Sequence, residues 1–144
     1  MISDFNYRGE LPPGIYVTTL KEIEGKLVFN KGRKELFEGL KAAMENLSKA
    51  GVPKAYIDGS FVTRKPIPND IDGCWDIDED VDPSRLDPVF LDFSDRRKAM
   101  KEKYGVDFFI ANTIELGSGK PFVEFFQQNR DGLSRGILVV ELKG

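Results

Sequence analysis

Apolar residues recur at helical spacing through Leu36, Leu40, Ala43 and Leu47, with Phe37 and Met44 beside them and Lys34, Glu38, Lys41, Glu45 and Lys49 opposite. Positions three and four apart share one side of a helix, so the stretch between Asn30 and Gly51 predicts an amphipathic helix. Asn30 can cap its start, and Gly51 followed by Pro53 can end it. Ala55-Tyr56-Ile57 then reads as a short strand running into Asp58-Gly59-Ser60. From Asp70 to Ile77 the period changes to two: Ile71, Gly73, Trp75 and Ile77 alternate with Asp70, Asp72, Cys74, Asp76 and Asp78. An extended backbone places these sets on opposite faces, one apolar and one rich in carboxylates. A helix is expected over Ser94 to Tyr104 with Gly105 as its stop, then a strand over Val106 to Ile110. Pro121 followed by Phe122, Phe125 and Phe126 suits a short helix, and Ile137 to Leu142 a final strand. Residues 1–17, with Gly9, Pro12, Pro13 and Gly14 around Leu11, Ile15 and Val17, read as an extended arm. The alternation of elements predicts an α/β (α+β) layer fold, a mixed sheet covered by helices.

Composition narrows the chemistry more than the fold. The chain has 144 residues, a length that suits a single domain with one core. We divide it into an N-terminal arm (1–30), a central motif region (31–112) and a C-terminal helix and strand (113–144). There is no histidine and one cysteine, Cys74. Ser-His and Cys-His nucleophile systems and Cys/His zinc sites are therefore excluded, as is an intramolecular disulfide. A net charge of −3 argues against duplex binding through the whole surface but leaves room for a local basic patch. No apolar run approaches the ~20 residues that span a bilayer, and the first residues lack a secretory pattern. A soluble, cytoplasmic protein with no membrane partner is the expectation.

Carboxylates, hydroxyls, Lys, Arg, backbone amides or a hard metal must then carry any chemistry. Gly59-Ser60 follows a strand, Asp70-Ile71-Asp72 opens the next, and Asp107 lies near the start of a third. Alone, each has a structural explanation as a turn, a solvated strand entry or a rim residue. Together they suggest a cation site, since carboxylates two apart on a strand share a face and ionise together only when a cation or strong donors compensate them. Magnesium uses one or two protein carboxylates and leaves positions for phosphate, and a pair of ions can engage both oxygens of an in-line phosphoryl displacement. Asp70 and Asp72 are the candidate clamp, and Asp107 the third ligand beside the attacking hydroxyl. Gly59 permits close backbone approach, and the Ser60 hydroxyl can hold terminal phosphates with Arg64 or Lys65 neutralising them.

Other matches fail. Asp76, Asp78 and Asp80 begin like a calcium loop, but Val81 stands where its glycine belongs, and this acidic stretch reads as a solvated loop. Gly117-Ser118-Gly119-Lys120 lacks the first P-loop glycine, and Pro121 replaces the metal-binding hydroxyl. Phe122, Phe125 and Phe126 suit a core better than a base-stacking surface. Cys74, on the carboxylate side of its strand, is expected to have a raised thiol pKa and to be a poor nucleophile.

Gly59-Ser60, nine intervening residues, Asp70-Ile71-Asp72 and a later Asp107 resemble the DNA polymerase β-like nucleotidyltransferase superfamily over residues 31 to about 112. That resemblance implies a small mixed-sheet palm, two Mg2+ ions with Mn2+ as a substitute, and transfer of a nucleoside monophosphate from a nucleoside triphosphate. The whole chain also resembles an uncharacterised bacterial and phage family of small nucleotidyltransferase-like proteins. The segments that carry this are Leu11-Pro12-Pro13-Gly14, Asp58-Gly59-Ser60-Phe61-Val62-Thr63, Asp70-Ile71-Asp72-Gly73-Cys74-Trp75-Asp76 and Phe125-Phe126-Gln127-Gln128-Asn129-Arg130-Asp131-Gly132. Many nucleotidyltransferases add a helical domain that grips base and acceptor, so a protein partner or a second copy is expected to complete the pocket. The acceptor is a hydroxyl of a protein, an RNA end or a small molecule. Similarity to minimal nucleotidyltransferases of toxin–antitoxin systems makes protein or tRNA modification the preferred setting. Two other classes stay open: a catalytically weak binding module or antitoxin of the same shape, and a metal-dependent phosphohydrolase or nuclease.

Overall fold

A computed structural model describes residues 1–143. The amphipathic stretch forms the longest helix, α2 (Lys31–Lys49), preceded by β1 (Ile15–Thr18) and α1 (Leu20–Leu27). The Asn30 side chain accepts from the Arg33 N–H at 2.8 Å, which caps α2 as its sequence predicts. After α2 come β2 (Lys54–Asp58), a 3-10 turn (Gly59–Val62), β3 (Ile71–Trp75), α3 (Ser94–Tyr104) and β4 (Val106–Ile110). A two-stranded hairpin, β5 (Ile114–Glu115) and β6 (Lys120–Pro121), leads into the short α4 (Phe122–Phe125), and β7 (Ile137–Glu141) closes the fold. Five strands form one mixed sheet in the order β1-β7-β2-β3-β4.

Side-chain alternation divides the sheet into two dissimilar faces. One carries Ala55, Ile57, Ile71, Trp75, Val106, Phe108, Leu138 and Val140, which pack with Phe37, Leu40, Met44 and Leu47 of α2 in the main core. The other carries Tyr56, Cys74, Ile137 and Val139 in a smaller cluster joined by Phe109, Phe122, Val123 and Phe126. This second face is apolar only over part of its area, because the same alternation brings Asp58, Asp72 and Asp107 to it.

Several sequence expectations need correction. Residues 1–30 are more than an arm: β1 pairs in parallel with β7, Ile15 opposite Ile137, and α1 buries Ile23 and Leu27. Thr19 caps α1 by accepting from the Glu22 N–H at 3.1 Å. The second strand spans Ile71 to Trp75 only, leaving Asp70 and Asp76 just outside it. Cys74 is fully buried, so burial comes first in raising its thiol pKa and the nearby Asp58 and Asp76 second. The first turn of α3 is irregular, with Asp95, Arg96 and Arg97 left-handed at φ of 49°, 55° and 60°. Non-glycine residues enter this region at a cost, so surrounding contacts must hold the turn. Among the described residues, no helix is long and apolar enough to cross a membrane.

Candidate active site

Asp58 lies opposite Asp72 in the β2–β3 register, and Asp72 opposite Asp107 in the β3–β4 register. Neighbours in register share a face, so the three carboxylates form a row across adjacent strands. Asp70, just ahead of β3, adds a fourth. One oxygen from each of Asp70, Asp72 and Asp107 can be chosen so that all three lie within 4.8 Å of one another. The structure thus brings together the three carboxylates that the sequence singles out. The later acids do not join them: Asp76 faces Lys54 at 3.9 Å, and Asp78 and Asp80 face Lys143 at 3.5 and 2.9 Å, beyond the opposite end of β3.

Asp58 is the site residue that sequence reasoning missed. Its carboxyl is completely buried, and neither oxygen has a hydrogen-bond partner among the described residues. Burial and the adjacent Asp72 hold its pKa well above the ordinary carboxylate range, against the pull of Arg135. Asp72 is pushed up to about 7 by burial, then by Asp70 and Asp107, with Arg135 and Lys101 opposing. Asp70 is raised by burial first and Asp107 second, while Lys101 and Arg97 pull it down. Asp107 is compensated directly: Arg97 donates from Nε at 2.7 Å to one oxygen and from Nη2 at 3.1 Å to the other, and Lys101 Nζ stands 3.6 Å away. Sequence reasoning also missed Arg97 and Lys101; they come from α3, where five cations in eleven residues leave no local signal that singles out these two.

Carboxylates that resist ionisation, as Asp58, Asp70 and Asp72 do, fit a divalent cation, whose charge offsets the repulsion and whose preferred donors are carboxylate oxygens. The pH dependence of stability follows. The folded site keeps a proton on Asp72 up to about pH 7, whereas an unfolded aspartate releases it near ~3.9. Between these values the folded state binds more protons, so this group makes stability fall as pH rises, by up to roughly 4 kcal/mol in total. Magnesium or manganese should therefore raise the melting temperature at pH 8 and do little at pH 5. The fluorescence of Trp75, the single tryptophan and a buried one, reports the transition; an equal metal effect at both pH values would contradict this account.

Gly59 is required by the same geometry. Its φ is +73°, and a Cβ there would stand 2.1 Å from Asp72 Oδ2 and 2.9 Å from Asp72 Cβ. Gly59→Ala should displace the Asp72 carboxylate and cancel the metal-dependent stabilisation, checked by the same melts.

Beside the carboxylate row, the 3-10 turn and the segment after it form one wall of a groove of about 390 Å³ whose lining includes five cations, Arg8, Arg64, Lys65, Arg130 and Arg135, with Ser60 and two acids, Glu10 and Asp131. Arg130 and Arg135 also line the adjoining pocket of about 360 Å³ that contains Asp58 and Asp72. The three predicted phosphate contacts, Ser60, Arg64 and Lys65, therefore share a single cationic groove with arginines from the N-terminal segment and the loop before β7. Arg33, fully buried at the start of α2, fixes this wall from behind. Its guanidinium donates to the carbonyls of Leu27, Ser60, Phe61, Thr63 and Lys65 at 2.6–3.2 Å. Burial lowers its pKa to about 10, leaving it charged at neutral pH.

A family model described as a family of unknown function (DUF6932) matches residues 3–141. No curated protein and no solved structure matches the chain.

Proposed function

We propose that this chain, which belongs to the DUF6932 family, is a divalent-metal-dependent nucleotidyltransferase that moves a nucleoside monophosphate from a nucleoside triphosphate to a hydroxyl group. The observation that carries this reading is the junction of three carboxylates placed to share a cation, Asp70, Asp72 and Asp107, with a cationic groove. One feature alone would suit a cation or an anion; the pair suits a metal–triphosphate complex.

In this reading Asp70, Asp72 and Asp107 hold one or two Mg2+ or Mn2+ ions, with Asp58 as a buried acid behind them. The bound metal supplies charge neutralisation to the phosphoryl oxygens. Arg64, Lys65, Arg130 and Arg135 hold the β- and γ-phosphates, and Ser60 donates its hydroxyl to them. The acceptor oxygen attacks the α-phosphorus, forming a new P–O bond as the bond to the bridging oxygen of the β-phosphate breaks. Asp107 accepts the hydroxyl proton, and the electron pair of the broken bond leaves with pyrophosphate into the arginine-lined groove. Complete burial of Asp58 excludes water from that end of the row.

A second reading is a nucleotidyltransferase-shaped binding module, and one observation favours it: Arg97 already engages both Asp107 oxygens. Incubating the protein with α-labelled nucleoside triphosphates, magnesium and a cell lysate separates the two. Transfer of label that is lost in Asp70→Asn supports the enzyme. A stoichiometric partner retained by that variant, with no labelled product, supports the module. Release of inorganic phosphate or nicked nucleic acid without label transfer indicates a hydrolase.

A further inference from the structure

Beyond Asp107, at the β4 edge of the sheet, lies a further cavity of about 450 Å³ lined in part by Phe93, Arg97, Phe109, Ile114, Leu116 and Phe122. Three of its aromatic rings form a nearly parallel ladder. Phe93 and Phe109 have centroids 6.2 Å apart at 10°, and Phe109 and Phe122 are 4.2 Å apart at 8°. Phe122 and Phe109 are packed against the smaller apolar cluster, whereas Phe93 is 39% exposed at the rim and Leu116 is 93% exposed beside it. A folded chain gains nothing by leaving such flat apolar surface open, which marks it as a surface for a planar ligand.

Position gives the cavity its role. Arg97 lies 4.8 Å from the Phe109 ring centroid while binding Asp107, so one side chain separates the slot from the carboxylate row. The cationic groove lies toward β2 and the slot beyond β4, with the row between them. An in-line displacement brings the acceptor to the α-phosphorus from the side opposite the departing pyrophosphate. If pyrophosphate occupies the groove, the slot is where the acceptor sits.

Charge selects the kind of acceptor. The helix that borders the slot, α3, carries Arg96, Arg97, Lys98, Lys101 and Lys103 against Asp95 and Glu102; Arg97 and Lys101 engage Asp107, Lys103 engages Asp87 and Lys98 lies 3.7 Å from Glu102, so the cations that face solvent are Arg96 and the loosely paired Lys98. Arg96 and Lys98 are exposed. Glu115 also lines the cavity as its one anion, set against Arg97; its carboxylate accepts from the Ser118 N–H at 2.6 Å, which keeps it ionised and turned toward its own loop. Aromatic rings for bases beside a cationic track for phosphates is the pattern that binds single-stranded nucleic acid. A tyrosine-bearing protein would offer a ring without the phosphates that α3 is charged to meet.

We propose that this slot stacks the terminal base of a single-stranded nucleic acid, whose 3′ hydroxyl is presented to the carboxylate row while its backbone follows α3. The inference rests on the nucleotidyltransferase reading for the direction of the strand. In the transfer step the 3′ oxygen forms the new bond to the α-phosphorus, its proton goes to Asp107, and pyrophosphate departs on the groove side.

Short single-stranded RNA and DNA oligonucleotides carrying 2-aminopurine at either the 3′ or the 5′ end test this without turnover, because stacking on phenylalanine quenches the probe. Quenching at the 3′ end only is expected. Phe93→Ala should weaken binding ~10-fold, and Phe93→Leu, which keeps apolar bulk without a ring, should fold normally yet lose most of the quenching. Removing two charges with Arg96→Gln and Lys98→Gln should reduce the slope of log affinity against log salt by about 1.4, ~0.7 for each phosphate contact. RNA-only or DNA-only quenching identifies the acceptor class within the proposal. Equal quenching at both ends, unchanged affinity in Phe93→Ala, or displacement of the oligonucleotide by a tyrosine peptide would overturn it. Specific 3′ quenching without any nucleotide transfer would instead overturn the catalytic reading and leave the nucleic-acid slot standing.

Discussion

Asp72→Asn is expected to reduce nucleotide transfer more than ~100-fold and, at pH 8 without metal, to make the protein more stable. Loss of a partner outside the immediate coordination sphere typically costs ~10–100-fold in metal affinity or activity, so loss of a direct carboxylate ligand should exceed that range. The opposite sign for stability follows from electrostatics. Asp72 is charged at pH 8 only at the expense of burial beside Asp70 and Asp107, and an amide of nearly the same shape removes that charge. The gain should be on the order of 2–4 kcal/mol at pH 8 and should vanish near pH 4, where Asp72 is protonated in the folded state. Urea unfolding followed through Trp75, together with label transfer, checks both halves. A variant that lost activity and stability together at pH 8 would mean that Asp72 is ordinarily stabilised by the fold, and the cation-site account would fail. Such sites store free energy that the fold supplies elsewhere, here from a large apolar core on the opposite sheet face.

Arg33→Met is expected to produce the largest loss of stability. The substitution leaves the carbonyls of Leu27, Ser60, Phe61, Thr63 and Lys65 without their donor. Each buried acceptor left unpaired costs ~1–3 kcal/mol, and partial relaxation to water should hold the total near ~3–5 kcal/mol. The Arg33 guanidinium also lies 4.2 Å from the Phe29 ring centroid and 5.0 Å from that of Phe61, contacts that methionine replaces only in part. Arg33→Lys keeps charge but has fewer donors without the planar fork, so an intermediate urea midpoint is expected. The variants should also bind triphosphate more weakly, because four of the carbonyls Arg33 holds, those of Ser60, Phe61, Thr63 and Lys65, belong to the wall of the groove. Equal midpoints for wild type and Arg33→Met would contradict the clamp.

Arg33 shows why part of the site was hidden in the sequence. A cation in the first turn of a helix opposes the helix dipole, but Lys31 and Lys34 share that turn, so nothing in the local pattern distinguishes the one that turns inward. Asp58 was hidden differently. It ends a short strand beside a Gly-Ser turn, and nothing in its neighbours indicates that the opposite position in the next strand is another aspartate. Phe122 and Phe126 were read as apolar packing residues, and they do pack on the smaller cluster, yet Phe122 also lines the slot beside Phe109.

Local periodicity by itself determined α2 with its Asn30 cap, the strands β2, β3, β4 and β7 to within a few residues, and the α/β class, because burial of one helix stripe or one strand face is written in nearest neighbours along the chain. Composition determined the chemistry available to a protein without histidine, and the spacing of Asp70, Asp72 and Asp107 after Gly59-Ser60 singled out three of the four carboxylates that meet. Tertiary structure alone decided that β1 belongs to the sheet, that Asp58, Asp72 and Asp107 fall in one row, and that Arg97 and Arg33 turn inward. Those outcomes depend on strand register and on contacts between residues far apart in the chain, where a shift of one position would send every carboxylate to the other face.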